Sequence, residues 1–327
     1  MVKTTYVGSF PLDYSRENIV KILKDVEKIP IDYPCYPQLK DFIKQFLEPI
    51  ASENIGIEYK EGKFFLVDEL KTLDKPIATE ALEITVNYFK NKATIEGIRA
   101  CVTGPFTLAS QIIVPGKGRG LGFRNTALAE LTFVEKLAEI LANICKYYAE
   151  LGATWVNVDE PVLSIIVGRK KIMYGYSEDQ IVEILNKVID KVRSKITGIH
   201  VCGSISPLLR NTLLMTEFKL LDHEFKGTPS NIDIFERNII EKYNKKLSFG
   251  CISSKKATIE KIDDVINFIE KAFEKIGSEN IEFIKPDCGF KGLKTACGSS
   301  EEAYKIALEK LKVLKKVKDS INKKYGE

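Results

Sequence analysis

The chain alternates between short runs of apolar and β-branched residues and longer stretches in which apolar residues recur with a helical period. The short runs are typical of buried strands, and the long stretches are typical of helices that cover an apolar core. The predicted strands are residues 4–9, 97–104, 154–160, 198–203, 217–224, 247–253 and 281–289. The most regular predicted helices are residues 124–151, 178–195, 258–277 and 301–321.

Repeated strand–helix units predict a parallel sheet covered by helices. Seven strands are legible, and we expect an eighth between residues 55 and 70. A closed barrel is favoured over a doubly wound sheet because no nucleotide-binding glycine fingerprint follows the first strand. The prediction is therefore an α/β fold, a single (β/α)8 barrel of the TIM type that occupies residues 1–327 as one domain. The glycine-rich run 116–122 is expected to be a mobile surface loop, with a role as a lid or a partner contact as the alternative.

The composition is that of an ordinary globular protein, with 44% hydrophobic and 29% charged residues. The 49 basic and 45 acidic residues are interspersed, so the net charge of +4 does not indicate a nucleic-acid or membrane partner. A signal-peptide core and an apolar run of membrane-spanning length are both missing from the sequence, which predicts a cytoplasmic protein. Seven scattered cysteines, an odd number, argue against a disulfide scaffold.

One predicted strand carries an unusual pair, because His200, one of only two histidines, stands two positions before Cys202. Residues i and i+2 of a strand point to the same face, so the imidazole and the thiol would lie side by side, as a soft or borderline metal requires. When the motif is taken alone, a core strand with a satisfied histidine and a small apolar cysteine explains it better than a metal site does. Further candidate ligands elsewhere in the sequence are needed to decide between a metal site and a core strand.

Polar residues collect at the carboxyl ends of the predicted strands, where α/β barrels carry their catalytic groups. These positions hold Gly8, Ser9, Asp159, Glu160, His200, Cys202, His223, Glu224, Asp287 and Cys288. One imidazole, two thiols and one carboxylate among them complete a tetrahedral zinc site. The predicted ligands are His200, Cys202, Glu224 and Cys288.

Ligands that arrive from separate strand ends, between residues 200 and 288, favour a catalytic zinc over a structural one. Two thiolates and a carboxylate would give the site a net charge of −1, which makes it a weak Lewis acid for generating hydroxide. Such a site is better suited to binding a substrate thiol, whose pKa it lowers while the sulfur stays nucleophilic. The predicted chemistry is alkyl transfer to sulfur.

Six motifs in order along the chain strengthen this interpretation: VGSFP, VTGPFTL, VDEP, IHVCG, HEF and KPDCGFK. Together they resemble the catalytic barrel of cobalamin-independent methionine synthase in its short archaeal form, within the methionine synthase and uroporphyrinogen decarboxylase-like superfamily. The resemblance implies zinc on the same four ligands and L-homocysteine as the methyl acceptor. It also implies that Val7, Gly8 and Ser9 hold the substrate carboxylate and that Asp159 pairs with its ammonium group.

Two residues beside the ligands are expected to support the site. His223 is expected to orient a ligand or to serve as a simple hydrogen-bond donor, and Asp287 is expected either to steady its loop or to contact the substrate amine. Cys35, Cys101, Cys145 and Cys297 are expected to be packing residues, and the role of Cys251 is open.

The chain departs from the family pattern at three positions that the resemblance assigns to the folate donor. Gln111 replaces a tryptophan, Ile165 replaces a glutamate, and Ser253 stands near the place of the catalytic histidine. Without that proton donor, protonation of the leaving nitrogen of methyltetrahydrofolate is difficult. We therefore expect a methylated corrinoid, either methylcobalamin or a corrinoid protein, as the methyl donor.

Three alternatives stay open at this point. The first is a methyltetrahydrofolate-dependent homocysteine methyltransferase. The second is methyl transfer to another thiol such as coenzyme M, although this molecule has no amine for Asp159 to bind. The third is a protein of another class, either a decarboxylase-like lyase, which would not need the ligand set, or a zinc-binding protein without turnover.

Overall fold

Ten strands and twelve α-helices follow one another in the computed structural model, which describes residues 1–117 and 122–326. The strands are Lys3–Thr4 (β1), Ile57–Lys60 (β2), Lys63–Leu66 (β3), Arg99–Thr103 (β4), Ile112–Ile113 (β5), Trp155–Asp159 (β6), Ile196–Val201 (β7), Leu220–Glu224 (β8), Lys246–Ile252 (β9) and Ile281–Pro286 (β10). The helices are Arg16–Glu27 (α1), Lys44–Ser52 (α2), Glu80–Phe89 (α3), Pro105–Ala109 (α4), Leu131–Leu151 (α5), Leu163–Ile166 (α6), Glu178–Ile189 (α7), Pro207–Met215 (α8), Arg237–Lys242 (α9), Ile262–Ile276 (α10), Leu293–Cys297 (α11) and Ser300–Tyr325 (α12). Most of the predicted glycine-rich loop, residues 118–121, lies outside the described part of the chain.

A parallel sheet of seven strands forms the wall of the barrel, in the order β1, β10, β9, β8, β7, β6, β4. All seven strands expected from the sequence are present in it, with boundaries shifted by a few residues. The extended segment 33–35 closes the wall, because Thr5 bridges to Tyr33 on one side and Cys35 bridges to Arg99 on the other. The predicted (β/α)8-type barrel is therefore confirmed.

The expected position of the eighth strand is wrong. Residues 57–66 form a hairpin, β2 and β3, which joins β5 in a separate small sheet. Strand β2 alternates apolar and charged residues, and in the two strands of the hairpin only Ile57 and Phe64 are buried. A wall strand of a barrel is covered on both faces, so the half-exposed hairpin pattern belongs outside the wall.

Aromatic and aliphatic side chains fill the amino-terminal end of the barrel. This floor consists of Tyr33, Trp155, Ile196, Leu220 and Phe283, all of which are buried. The rings of Trp155 and Phe283 have centroids 4.8 Å apart, and those of Tyr33 and Phe283 lie edge to face at 5.2 Å. Packing of these side chains closes the amino-terminal end of the barrel.

The helices cover the outside of the wall with one apolar face each. Helix α7 begins with a capping box, in which Ser177 and Gln180 satisfy each other's backbone amides. Helix α5 ends at Gly152, whose φ of 118° gives a left-handed cap that favours glycine. Of the helices described, none combines the length and apolar character that a membrane crossing requires.

Candidate metal centre

Three of the four predicted ligands meet at the carboxyl end of the barrel. His200 belongs to β7, Cys202 follows that strand directly, and Cys288 follows β10. The Nε2 atom of His200 lies 2.8 Å from the Cys202 Sγ atom, and the two sulfur atoms lie 3.5 Å apart. In the described part of the chain, these three side chains form the group whose donor atoms all lie within 4.8 Å of one another.

The two thiols of this group influence each other's ionisation. The hydrogen bond from Cys202, together with His200, holds the pKa of the Cys288 thiol well below its usual range. The same contact and burial raise the pKa of Cys202. One imidazole nitrogen and two sulfur atoms within contact distance of one another are the donor types that zinc prefers, so the residues fit this metal.

The fourth predicted ligand, Glu224, lies at the end of the neighbouring strand β8 but outside this group. Its Oε1 atom accepts a hydrogen bond of 2.6 Å from the Thr228 hydroxyl, and its Oε2 atom lies 3.7 Å from the Lys255 ammonium. The side chain is only 4% exposed. Glu224 thus borders the centre, and both of its oxygen atoms have polar partners there.

Asp287 precedes Cys288, and its carboxylate is fully occupied by backbone amides. Its Oδ1 atom accepts from Phe225 and Lys226, and its Oδ2 atom accepts from Gly227 at 2.8 Å. Burial raises the pKa of this carboxyl to about 6, against the effect of these hydrogen bonds. The contacts hold the loop that follows Glu224 against the turn that carries Cys288.

Of the two roles expected for His223, the structure fits that of a simple hydrogen-bond donor. Neighbouring residues of a strand point to opposite faces, so His223 points away from the face of Asp222 and Glu224. Its ring stacks on Phe235 with centroids 5.2 Å apart, and its Nδ1 atom lies 3.1 Å from the Val201 carbonyl oxygen. Burial lowers its pKa to about 3. His223 is a neutral core residue between the wall and the helices.

The predicted substrate residues follow β1 and end β6. Gly8 is packed so closely that a Cβ atom there would lie 1.9 Å from the Tyr36 carbonyl oxygen. The Ser9 carbonyl accepts from the amide of Phe290 at 2.6 Å, which ties this segment to the loop after Cys288. Val7, next to them, is buried.

Asp159 is half-buried and is paired in register with His200 on the adjacent strand. Its Oδ1 atom accepts from Asn157 at 2.7 Å, while burial raises its pKa. Asp159 and the segment 7–9 therefore reach the same end of the barrel as the three donor atoms.

The positions that depart from the family pattern lie in the segments that follow the strands at this end, Ile165 within helix α6. Gln111 and Ile165 are exposed, and the Ser253 amide donates to Glu260 at 2.9 Å. The Ser253 hydroxyl accepts from the amides of the next loop residues. Cys251 is buried, and its thiol lies 3.5 Å from the Lys285 carbonyl oxygen, as a packing residue would.

Sequence reasoning missed a set of charged residues inside the barrel. Arg99, Asp222 and Lys285 are completely buried, and both cations contact Asp222 below the donor atoms. Burial is the main cause that lowers the pKa of Lys285 to about 8, and the positive charge of Arg99 acts in the same direction. A signal was available for two of them: Asp222 shares the strand face of Glu224, and Lys285 is a charged residue between the apolar residues Ile284 and Pro286 at the end of β10.

Fold and site together define the class: an α/β barrel with a thiol and imidazole centre at the catalytic end. Residues 73–307 match the family described as cobalamin-independent synthase, catalytic domain. The chain belongs to this family and is an enzyme of the methyltransferase class.

Similar proteins cover most of the chain. It is 30% identical over 295 residues to a methionine synthase of Methanothermobacter thermautotrophicus, with 88% of this chain and 86% of that protein covered. A methionine synthase of Methanothermobacter marburgensis is 25% identical, with 89% and 86% covered. The solved structure of a B12-independent methionine synthase from Shewanella has a TM-score of 0.73 at 14% identity, and covers 99% of this chain and 98% of its own. That structure supports the fold alone.

Proposed function

We propose that the chain is a zinc-dependent homocysteine S-methyltransferase that forms L-methionine. The observation that carries this proposal is the group formed by His200, Cys202 and Cys288 at the catalytic end of the barrel. The relatives named methionine synthase support homocysteine as the acceptor. In this proposal Glu224, which borders the group, is the fourth metal ligand.

The residues around the group have separate roles in the proposed reaction. Asp159 pairs with the substrate ammonium, and the segment Val7, Gly8 and Ser9 binds the substrate carboxylate. Both lie beside the donor atoms, Asp159 through its pairing with His200 and Ser9 through its contact with the loop after Cys288. A bound zinc ion would supply the Lewis acidity that lowers the pKa of the substrate thiol.

For the methyl donor we propose a methylated corrinoid. Its cobalt leaves as a stable nucleophile that needs no proton, whereas the leaving nitrogen of a methylated folate does. The residue in the place of the expected acid, Ser253, uses its hydroxyl to accept amides of its own loop. The family description, cobalamin-independent, instead favours methyltetrahydrofolate, so the two donors have to be compared directly.

The decisive experiment is a methyl-transfer assay with zinc-loaded protein and homocysteine, offered methylcobalamin and methyltetrahydrofolate in separate reactions. We expect methionine from methylcobalamin, measured by mass spectrometry. Methionine from the folate alone would overturn the donor and leave the acceptor intact. Failure with both donors would contradict the homocysteine function. Coenzyme M in place of homocysteine should give much slower transfer, because it offers no ammonium to Asp159.

A pair of cysteine variants tests the metal centre. Cys202→Ser should lose stoichiometric zinc and at least about 100-fold in turnover, because a hydroxyl is a poor zinc ligand. Cys145→Ser is the matched control, since Cys145 is a buried thiol of helix α5 outside the centre. It should keep both properties. Equal metal content in the two variants, measured by atomic emission, would refute the ligand assignment.

A further inference from the structure

Three buried charged residues form a cluster between the floor of the barrel and the metal centre. This buried ion cluster consists of Arg99 on β4, Asp222 on β8 and Lys285 on β10, whose side chains are all completely buried. Arg99 contacts the Asp222 Oδ2 atom, and its guanidinium lies over the Trp155 ring of the floor at 4.4 Å. The Lys285 Nζ atom lies 2.8 Å from the Asp222 Oδ1 atom. Burying three charges is costly, and removing one partner alone is more costly still.

On one side the cluster reaches His200. The Asp222 Oδ1 atom lies 3.4 Å from the His200 Nδ1 atom. Neither atom has a hydrogen bond of standard geometry with the described residues, although both are buried. The other ring nitrogen of His200, Nε2, is the one that faces Cys202. A small rotation of the ring would complete an Nδ1–H to carboxylate bond, which would leave the Nε2 lone pair directed at the centre.

On the other side the cluster reaches the turn before Cys288. In addition to its ion pair with Asp222, the Lys285 ammonium donates hydrogen bonds to the carbonyl oxygens of Pro286 at 3.1 Å and Asp287 at 2.8 Å. These two carbonyls belong to the residues immediately before Cys288. Lys285 therefore connects the Asp222 carboxylate, which lies beside His200, with the backbone turn that carries Cys288.

We propose that Asp222 and Lys285 are positioning residues for the metal centre. Asp222 sets the tautomer and orientation of His200, and Lys285 holds both Asp222 and the turn of Cys288 in place. The inference rests on the metal site proposed above. The inference also explains why the cluster contains two cations and one carboxylate. Its net positive charge lies beneath the donor atoms of the metal centre, which become negative when the two thiols ionise.

Metal affinity is the first measurement. Titration of the whole protein with Co²⁺ against a competing chelator should show about 10- to 100-fold weaker binding for Asp222→Asn. Asp32→Asn is the matched control, because Asp32 also combines a lysine partner, Lys318, with hydrogen bonds from Thr4, at the other end of the barrel. It should bind Co²⁺ as the unaltered protein does. Unchanged affinity in Asp222→Asn would overturn the inference.

The tautomer is the second measurement, and it does not require a metal. The chain has only two histidines, so ¹⁵N-histidine labelling gives two imidazoles, with His223 as an internal reference. In the metal-free protein at neutral pH, we expect the His200 proton on Nδ1. In Asp222→Asn the spectrum should show a mixture or the other tautomer for His200 and no change for His223. The same tautomer in both proteins would contradict the role of Asp222.

A double variant separates positioning from folding. Asp222→Asn alone leaves cations buried without their carboxylate, whereas Asp222→Asn with Lys285→Met removes an opposite pair. If the cluster only supports the fold, the double variant should regain Co²⁺ affinity along with stability. Positioning predicts that the stability measured by urea unfolding recovers only in part, because Arg99 stays buried without a carboxylate, while the Co²⁺ affinity remains reduced. Failure of the unaltered protein to bind Co²⁺ would instead overturn the proposed metal site itself.

Discussion

Gly8 illustrates how a single position in the proposed substrate segment is determined by its neighbours. Its own carbonyl accepts from the Gln38 amide at 2.8 Å, and the chain at Tyr36 comes too close for any side chain. The residue is glycine because two backbones meet, not because the segment needs flexibility. Substrate binding by Gly8 would accordingly use main-chain groups.

His223 gives the protein a predictable sensitivity to acid. Its folded-state pKa of about 3 lies below the ordinary 6.5, so the unfolded chain binds a proton that the folded chain excludes. The stability contributed by the neutral ring is complete above pH 6.5 and is lost as the pH falls towards 3. Up to about 1.4 kcal/mol is lost per pH unit within this range.

His223→Phe should remove this sensitivity, since the new ring keeps the packing against Phe235. At pH 7 we expect the variant to be less stable by about 1 kcal/mol, because the contact with the Val201 carbonyl is lost. Below pH 5 it should be the more stable of the two. Urea unfolding at both pH values, with a chelator present, checks the crossover. Parallel pH profiles would refute it.

Two loops of the catalytic end are joined through one side chain, Glu160, which follows β6. Its Oε1 atom accepts from the Phe106 amide at 2.9 Å, and its Oε2 atom accepts from the amide and hydroxyl of Thr107. These donors begin helix α4. Gly104 leaves room for the carboxylate, because a Cβ atom there would lie 2.3 Å from it. The VTGPFTL and VDEP motifs are thus joined by hydrogen bonds, with the acceptor Glu160 in VDEP and the donors in VTGPFTL.

Glu160→Gln should destabilise the protein by about 1–3 kcal/mol, because an amide group cannot accept at both positions and leaves a buried donor unpaired. Glu183→Gln, an exposed residue of helix α7, is the control and should change stability by less than about 0.5 kcal/mol. Denaturant midpoints of the two variants provide the comparison. A stable Glu160→Gln would mean that the loops are held by other contacts.

The element that closes the barrel could not be predicted from the hydrophobic pattern of the sequence. Residues 33–35 have neither the length nor the alternation of a strand, and they pair only through isolated bridges to Thr5 and Arg99. Closure of a barrel supplies this segment with partners on both sides, whatever its local propensity. The hairpin 57–66 has a clear strand pattern and yet lies outside the wall.

At the level of the whole molecule, the centre connects distant parts of the chain. Cys202 and Cys288 are 86 positions apart, and the strands that carry them are separated by β8 and β9. A metal that binds only the folded protein stabilises it by about 2.7 kcal/mol at 100 times its dissociation constant. If the proposed metal binds, its removal should therefore affect the stability of the entire barrel.

Calorimetry of metal-loaded and chelator-treated protein tests this expectation. Chelation should lower the unfolding temperature of the unaltered protein and leave that of Cys202→Ser unchanged. We also propose that residues 1–327 form one domain, which predicts a single transition with equal calorimetric and van't Hoff enthalpies. Two separate transitions would contradict the single domain, and an unshifted temperature would contradict metal binding.

The sequence by itself determined the barrel class, the seven strands and most of the side chains at their carboxyl ends. It could do so because strand periodicity and chain order are local properties, and parallel strands deliver their ends to one side. It also placed the donor pair of His200 and Cys202 correctly, since a spacing of two residues specifies a shared face.

Only the tertiary structure decided which strand ends touch and which faces point inward. It placed Cys288 beside Cys202, left Glu224 with Thr228 and Lys255, and turned His223 outward. It also revealed the buried ion cluster, whose members lie on three separate strands. These outcomes depend on closure and register around the barrel, which are long-range properties that no local stretch of residues encodes.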